Sequence, residues 1–200
     1  MKRLFSSVFV VIACCMVLSA GNRQKENSSN WLLMSGYGYS VMLSEMLGEG
    51  YSMVNSFVWQ PKSCWGFGLD YGMNYHNPVR FSFDEPISYQ RTRRHNNFFV
   101  GPSVYWFPVN TAKHRVHVSG NVNYFHTNDL NQYIIFDTNL QEYELWQYPD
   151  EVVINSIGLG ASLGYAYKLG EHVELGARFY TSWSQEEFHL MGLFNIGFAF

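Results

Sequence analysis

The sequence predicts an all-β protein: an eight-stranded antiparallel up-and-down β-barrel that spans a lipid bilayer and follows a cleaved signal peptide. Composition is the first observation behind this. Charged residues make up 14% of the chain and aromatics 18%, with 17 Gly and 14 Tyr, a balance poor in water-facing charge and rich in strand formers. The second is alternation with inverted polarity. In CWGFGLDYGMNYH (64–76), Trp65, Phe67, Leu69, Tyr71, Met73 and Tyr75 share one face, and Gly66, Gly68, Asp70, Gly72 and Asn74 share the other. A soluble sandwich packs its large apolar residues inward and shows Lys, Glu, Thr and Gln to water. Here the second face is small, which suits the interior of a narrow barrel, while the aromatic face suits lipid. Third, mean hydropathy is near neutral at -0.15, and beyond the N-terminus no apolar run approaches the roughly 18 to 20 residues that a membrane helix needs.

Residues 1–21 carry Lys2 and Arg3, an apolar stretch from Leu4 to Leu18, and the small residues Ser19, Ala20 and Gly21, the layout of an export signal. Val11, Ile12, Ala13 and Cys14 also look like a lipobox, so lipidation at Cys14 is a second reading, although the apolar stretch continues past that cysteine. Residues 22–30 form a short N-terminal segment and 31–200 the barrel domain. Removing Lys2 and Arg3 takes 13 basic residues to 11 against 16 acidic ones, so the exported chain is about five units negative and is no partner for nucleic acid. Cys14 and Cys15 leave with the signal, and Cys64 alone makes no internal disulfide.

Eight alternating segments bounded by turn residues follow, at 31–42, 51–60, 64–76, 97–107, 114–126, 153–168, 172–184 and 188–200. The second, YSMVNSFVWQ, alternates poorly and stays unoriented. The sixth sets Ile157, Leu159, Ala161, Leu163, Tyr165 and Tyr167 against Ser156, Gly158, Gly160, Ser162, Gly164 and Ala166; a helix would scatter both sets. Asp70 on the third segment and Glu174 and Arg178 on the seventh fall on the small face, where opposite charges can pair inside a plugged barrel. The eighth alternates Leu190, Phe194, Ile196, Phe198 and Phe200 with Met191, Leu193, Asn195, Gly197 and Ala199.

Short turns join segments 2 to 3, 4 to 5 and 6 to 7, while 1 to 2, 3 to 4 and 5 to 6 read as longer loops; 7 to 8 is a short stretch around SQEE. Short turns on one rim and long loops on the other match a transmembrane barrel with periplasmic turns and outer loops. In alternation, strand count and loop asymmetry the chain resembles the small eight-stranded outer-membrane β-barrels of the OmpA/OmpX-like kind, the outer membrane protein beta-barrel domain family, over about residues 31–200. The resemblance implies an integral outer-membrane protein with both termini in the periplasm, contact with outer-membrane lipid and lipopolysaccharide, no cofactor, and a C-terminal Phe200 read as a signal by the barrel-assembly machinery as well as contacting lipid.

The loop 127–152 has β-rich arms around Asp137, Thr138 and Asn139, so it continues the fifth and sixth strands as a hairpin. A smaller version, VRFSF-DEP-ISYQ, turns at Asp84 to Pro86. Together they make a protruding sheet whose edge can accept a strand from an extracellular protein, with Tyr133, Tyr143, Trp146 and Tyr148 as contact candidates. The alternative is that these aromatics pack on one another or sit at the lipid boundary. Arg91, Arg93 and Arg94 lie where the fourth strand leaves the outer interface and suit lipopolysaccharide phosphates; the alternative is a solvated loop run.

Catalysis is the minority reading. His117-Val118-Ser119 has the spacing of an outer-membrane lipid A deacylase pair, but both fall on the small face and no acidic residue on that segment orients the His. His76, His95, His114, His126, His172 and His189 fall near strand ends, show no metal-ligand spacing and read as interfacial polar residues. No Gly-rich phosphate loop is present, and eight strands enclose an interior filled by side chains. The expectation is a non-enzymatic barrel that supports the outer membrane or binds through its loops. A soluble periplasmic ligand-binding barrel is the rival, and it needs the opposite assignment of faces.

Overall fold

The computed structural model describes residues 31–43, 47–62, 64–77, 90–137, 142–184 and 187–200. They form β1 (Trp31–Leu43), β2 (Leu47–Lys62), β3 (Trp65–Asn77), β4 (Gln90–Asn110), β5 (His114–Asp137), β6 (Glu142–Lys168), β7 (Val173–Ser184) and β8 (Glu187–Ala199). Each strand pairs antiparallel with the next and β8 returns to β1, so the sheet is a closed barrel without lateral edges in its wall. At the rim bearing the ends of this barrel, the Trp31 N–H donates to the Phe200 carbonyl at 3.1 Å and the Phe200 N–H donates back to Trp31 at 3.0 Å. The readings of residues 1–30 and of the Asp84–Pro86 turn lie outside the described residues.

Side chains alternate as an inside-out protein requires. Leu33, Phe57, Phe67, Leu69, Leu159, Leu163, Phe179, Phe194 and Ile196 form an exposed apolar belt, a surface that a water-facing wall would not tolerate. Aromatics thicken it at both ends. Trp31 stacks on Phe57 with centroids 4.8 Å apart and lies beside Trp59 near the terminal rim, and Tyr37 stacks on Tyr51 at 6.2 Å toward the other, the hairpin rim. Paired bands of amphipathic rings are the usual girdles of a bilayer-spanning barrel.

The interior is less uniformly small than the sequence pattern indicates. Phe99 and Tyr105 on β4, Phe125 on β5, Tyr180 on β7 and Met191 on β8 all point inward and are fully buried. Facing glycines make room for them: a Cβ at Gly72 would overlap the Phe99 ring, and one at Gly164 would overlap the His117 ring. The second strand, unoriented from sequence, sends Val54, Ser56, Val58 and Gln60 inward and Tyr51, Phe57 and Trp59 outward. Its pattern is blurred because two inward positions are valines and Asn55 occupies an outward one.

Strands are longer and connections shorter than expected. β1 and β2 pair as far as Leu43 opposite Leu47, so the loop expected there shrinks to residues 44–46, and β5 and β6 pair as far as Asp137 opposite Glu142. At β5 and β6 the hairpin rim therefore rises by paired strand and not by loop. The described prolines mark where pairing fails. Pro61, Pro108 and Pro149 lie in the register shifts of β2, β4 and β6, and Pro102 falls in the gap between the Val100–Tyr124 and Ser103–Asn121 pairs. Lacking an N–H, proline fits a strand only at such interruptions.

Gly164→Ala should lower the stability of the folded barrel by about 1–3 kcal/mol, the usual cost of overpacking, because the buried His117 ring has to move. The midpoint of the heat-modifiable shift on SDS gels measures it, and Gly170→Ala, which meets open space, should leave that midpoint unchanged.

Candidate functional site

Three inward layers are stacked along the barrel axis. Near the terminal rim Leu32, Met34, Val58, Tyr105 and Phe107 form one apolar cluster; toward the hairpin rim Val54, Phe99, Phe125, Tyr180, Met191 and Leu193 form a second. A polar network lies between them. Arg178 on β7 reaches across the lumen to Ser56 on β2 at 2.7 Å, to the Tyr105 hydroxyl at 3.1 Å and to Asp70 on β3 at 3.5 Å. The single phenol proton of Tyr105 goes to Asp70 Oδ1 at 2.6 Å, and Asn121 Nδ2 donates to Asp70 Oδ2 at 2.7 Å and to the Tyr180 hydroxyl at 2.6 Å. The guanidinium also lies over the Tyr180 ring, 5.0 Å from its centroid. Asp70 and Arg178, two of the expected interior charges, thus share one network. The third, Glu174, instead meets Arg115 at 3.1 Å nearer the terminal rim, a partner that sequence reasoning did not single out.

Beyond the second apolar cluster, at the hairpin mouth, three imidazoles converge. The rings of His76, His95 and His189 lie 5.2 to 5.7 Å apart and are buried. His95 Nδ1 is 2.8 Å from Asp129 Oδ1, and Glu187 Oε2 lies 3.3 Å from His95 Nε2 and 3.5 Å from His189 Nε2. This corrects two expectations. His76, His95 and His189 face the lumen and not the interface, and Asp129 is an inward residue of β5 and not part of a loop. The signal that could have exposed them is Glu187-Phe188-His189, which sets a carboxylate and an imidazole on one strand face. The cluster itself comes from β3, β4, β5 and β8, so no local spacing announces it. His114, His126 and His172 are exposed.

At the hairpin rim three strands outrun the others. β6 pairs with β7 only from Gly158 opposite Ser184, and β4 pairs with β3 only as far as His95 opposite His76. Residues 90–94 of β4 and 142–157 of β6 therefore have one side without a strand partner among the described residues. From Asp129, level with the mouth, to Asp137 the overhang measures about 26 Å of strand at 3.3 Å per residue. On the overhanging part of β6, Val152, Val153 and Ile154 are exposed at 41%, 48% and 36%, so both strand faces are apolar and open. The contact candidates lie on this sheet: Tyr133 pairs with Trp146, Phe136 with Tyr143, and Tyr148 falls in the bulge between the Asn131–Asp150 and Tyr133–Trp146 pairs. Arg91 stands opposite Tyr133, Arg93 opposite Asn131 and Arg94 opposite Leu130. Arg94 is exposed; the side chains of 90–93 and 130–151 lie outside the described residues.

His117 and Ser119 face the lumen. Ser119 Oγ is 2.6 Å from Ser162 Oγ, and the His117 ring packs against Tyr105 and Phe107. The pair so placed points away from lipid substrates.

No family model and no curated protein matches the chain. Solved structures do. Neisserial surface protein A superposes with a TM-score of 0.58 at 13% identity over 88% of this chain and 100% of that one. The fold is that of a small outer-membrane barrel. OprG of Pseudomonas aeruginosa gives 0.52, with 11% identity over 90% of this chain and 99% of that one. The attachment invasion locus protein Ail of Yersinia pestis, in complex with the heparin analogue sucrose octasulfate, gives 0.51 with 8% identity over 85% and 97%.

Removing one partner from the buried network should be far costlier than removing both. Arg178→Met strands Asp70 between two apolar clusters and should destabilise the barrel by about 3–5 kcal/mol, with Asp70→Asn/Arg178→Met recovering much of that loss. Urea unfolding in detergent, followed by tryptophan fluorescence, measures both; a double variant no more stable than the single would contradict this account.

Proposed function

We propose that this chain is a non-enzymatic outer-membrane barrel that holds an extracellular partner on the sheet raised by β4, β5 and β6. The observation that carries the reading is the pair of edges on that sheet without a strand partner among the described residues, one with apolar side chains open on both faces at Val152, Val153 and Ile154. A free edge offers a row of unpaired N–H and C=O groups to an incoming strand, and apolar neighbours supply contact area. In this reading the terminal rim lies in the periplasm and the overhang outside the cell. Residues 1–21 are an export signal, Phe200 addresses the chain to the barrel-assembly machinery, and Arg91, Arg93 and Arg94 meet lipopolysaccharide phosphates at the base of the overhang. The likeness to Ail, whose name denotes attachment and which was solved with a heparin analogue, supports testing sulfated glycans beside proteins as the partner. The lumen, filled by the stacked layers, favours this role over solute passage.

The test replaces residues 131–148 with a short Asn-Gly turn. The trimmed barrel should still reach outer membranes and keep its heat-modifiable shift, while cells displaying it lose attachment to immobilised extracellular glycoproteins or sulfated glycans that the full chain binds. Unchanged attachment together with new sensitivity to bile-salt detergents would overturn the binding role in favour of structural support of the membrane.

A further inference from the structure

The histidine cluster at the hairpin mouth belongs neither to the protruding sheet nor to the Arg178 network, and it brings the donor atoms of a metal site together. Asp129 accepts only, so the 2.8 Å contact puts the ring hydrogen of a neutral His95 on Nδ1 and turns the Nε2 lone pair toward Glu187 Oε2 at 3.3 Å. His189 Nε2 faces the same carboxylate oxygen at 3.5 Å and stands 3.5 Å from the Asn97 amide nitrogen, a contact long enough to yield. Two imidazole nitrogens and a carboxylate oxygen turned together are held by a shared positive charge, either a proton on His95 or an ion bound among them. Their separations fit a metal. Four ligands about 2.1 Å from a tetrahedral ion lie about 3.4 Å from each other, and the three donor atoms here all fall within 4.8 Å of one another.

We propose that His95, His189 and Glu187 form a binding site for a borderline divalent transition-metal ion, zinc first. Two imidazoles and one carboxylate are the donors that zinc takes, whereas calcium and magnesium want oxygen alone. Asp129 supplies the outer support, fixing the tautomer and ring plane of His95 as carboxylates do for metal-bound histidines. His76 completes the surroundings: its Nε2 lies 3.1 Å from Ser40 Oγ, while its Nδ1 is buried without a hydrogen-bond partner, and the fourth position is left to a water. The Glu187 side chain keeps 15% exposure, which is the entry from the hairpin side. In an eight-membered ring β4 stands opposite β8, so the ion ties opposite walls of the mouth together and not two neighbours along a ladder.

The experiment uses the full-length barrel extracted from outer membranes in detergent, stripped with EDTA and titrated with zinc chloride by calorimetry, with cobalt(II) as a spectroscopic stand-in. One ion per chain, visible absorption typical of tetrahedral cobalt, and an unfolding midpoint raised by zinc are expected. His189→Ala and Glu187→Gln should each weaken binding at least tenfold and abolish the midpoint shift, and Asp129→Asn should weaken it about tenfold, the usual effect of losing an outer support. His114→Ala/His172→Ala, which changes exposed histidines on the other rim, should bind like the unaltered protein. Heat-modifiable migration confirms that each variant is folded, and the partly exposed Glu187→Gln serves if His189→Ala does not fold. Absence of stoichiometric binding, or binding undiminished in Glu187→Gln, would overturn the proposal; so would binding lost only in the exposed-histidine variant, which would mark a surface site.

Discussion

A ring of eight strands is so narrow that inward side chains must be reconciled with the wall opposite, and the rest of the molecule depends on that constraint. Arg178 shows it most clearly. Its guanidinium leaves β7 and ends among Ser56, Asp70 and Tyr105, on β2, β3 and β4. Such a charge is tolerable because its two Nη groups meet oriented polar partners and its face lies on the Tyr180 ring: the phenol and the Asn121 amide donate to Asp70, and Asp70 faces the cation. Taking two charges out of water costs several kcal/mol each, so their mutual attraction mainly repays that cost and gives little net stability. What the network does supply is specificity of register. Sliding β7 by one residue would turn Arg178 to lipid and Phe179 into the lumen.

The apolar clusters above and below keep the network dry. They also explain why glycine is so frequent on the inner face. Each inward aromatic, such as Phe99 or Tyr180, fills the space of several side chains, and the positions facing it have to give up theirs; Gly72 under Phe99 and Gly160 beside Asn121 and the Tyr180 hydroxyl are the clearest cases. Glycine costs conformational entropy in a strand, so its retention here is a packing requirement and not a tolerance. Proline is governed by the complementary rule. A closed wall leaves no edge on which a missing N–H is harmless, and the described prolines accordingly sit at bulges or at a gap in the ladder.

These rules decide what was legible in the sequence. Where the inner face is small and the outer face large, as in β3 and β6, period two and its inverted polarity identify strand, orientation and solvent together. In β2 the contrast falls, because Val54 and Val58 are apolar yet inward, and orientation had to come from pairing with β1 and β3. The overhang of β5 and β6 was readable as a hairpin from its turn residues. The β1–β2 connection was not, since Gly48 and Gly50 look like loop residues and are inward strand positions. Asp70 and Arg178 were readable as interior charges, but which charges meet was not: Glu174 shares a strand with Arg178, yet its partner is Arg115 on β5.

The histidine cluster lies past the limit of such reading, for a geometric reason. Pattern along a strand reports which face a residue occupies and how far along the axis it stands. It does not report which residues of opposite strands reach the same height, because that is set by the stagger of all eight strands around the ring. His95 and His189 are 94 positions apart in sequence and meet because β4 and β8 are staggered so that both reach the lumen at one level, with rings 5.7 Å apart. Closure thus creates sites that no single strand encodes. In a small barrel these appear at the mouths, where the apolar filling ends and polar side chains from several walls can approach without solvent between them. The mouth on the hairpin side is where this chain gathers three imidazoles and two carboxylates, and it is also the side on which β4, β5 and β6 rise above their neighbours. A charge held between β4 and β8 there would fix the root of the overhang, since β4 is both its first strand and one wall of the cluster. Rigidity at the root limits how far the free edge of β6 can wander and lowers the entropy that a partner strand must overcome on pairing.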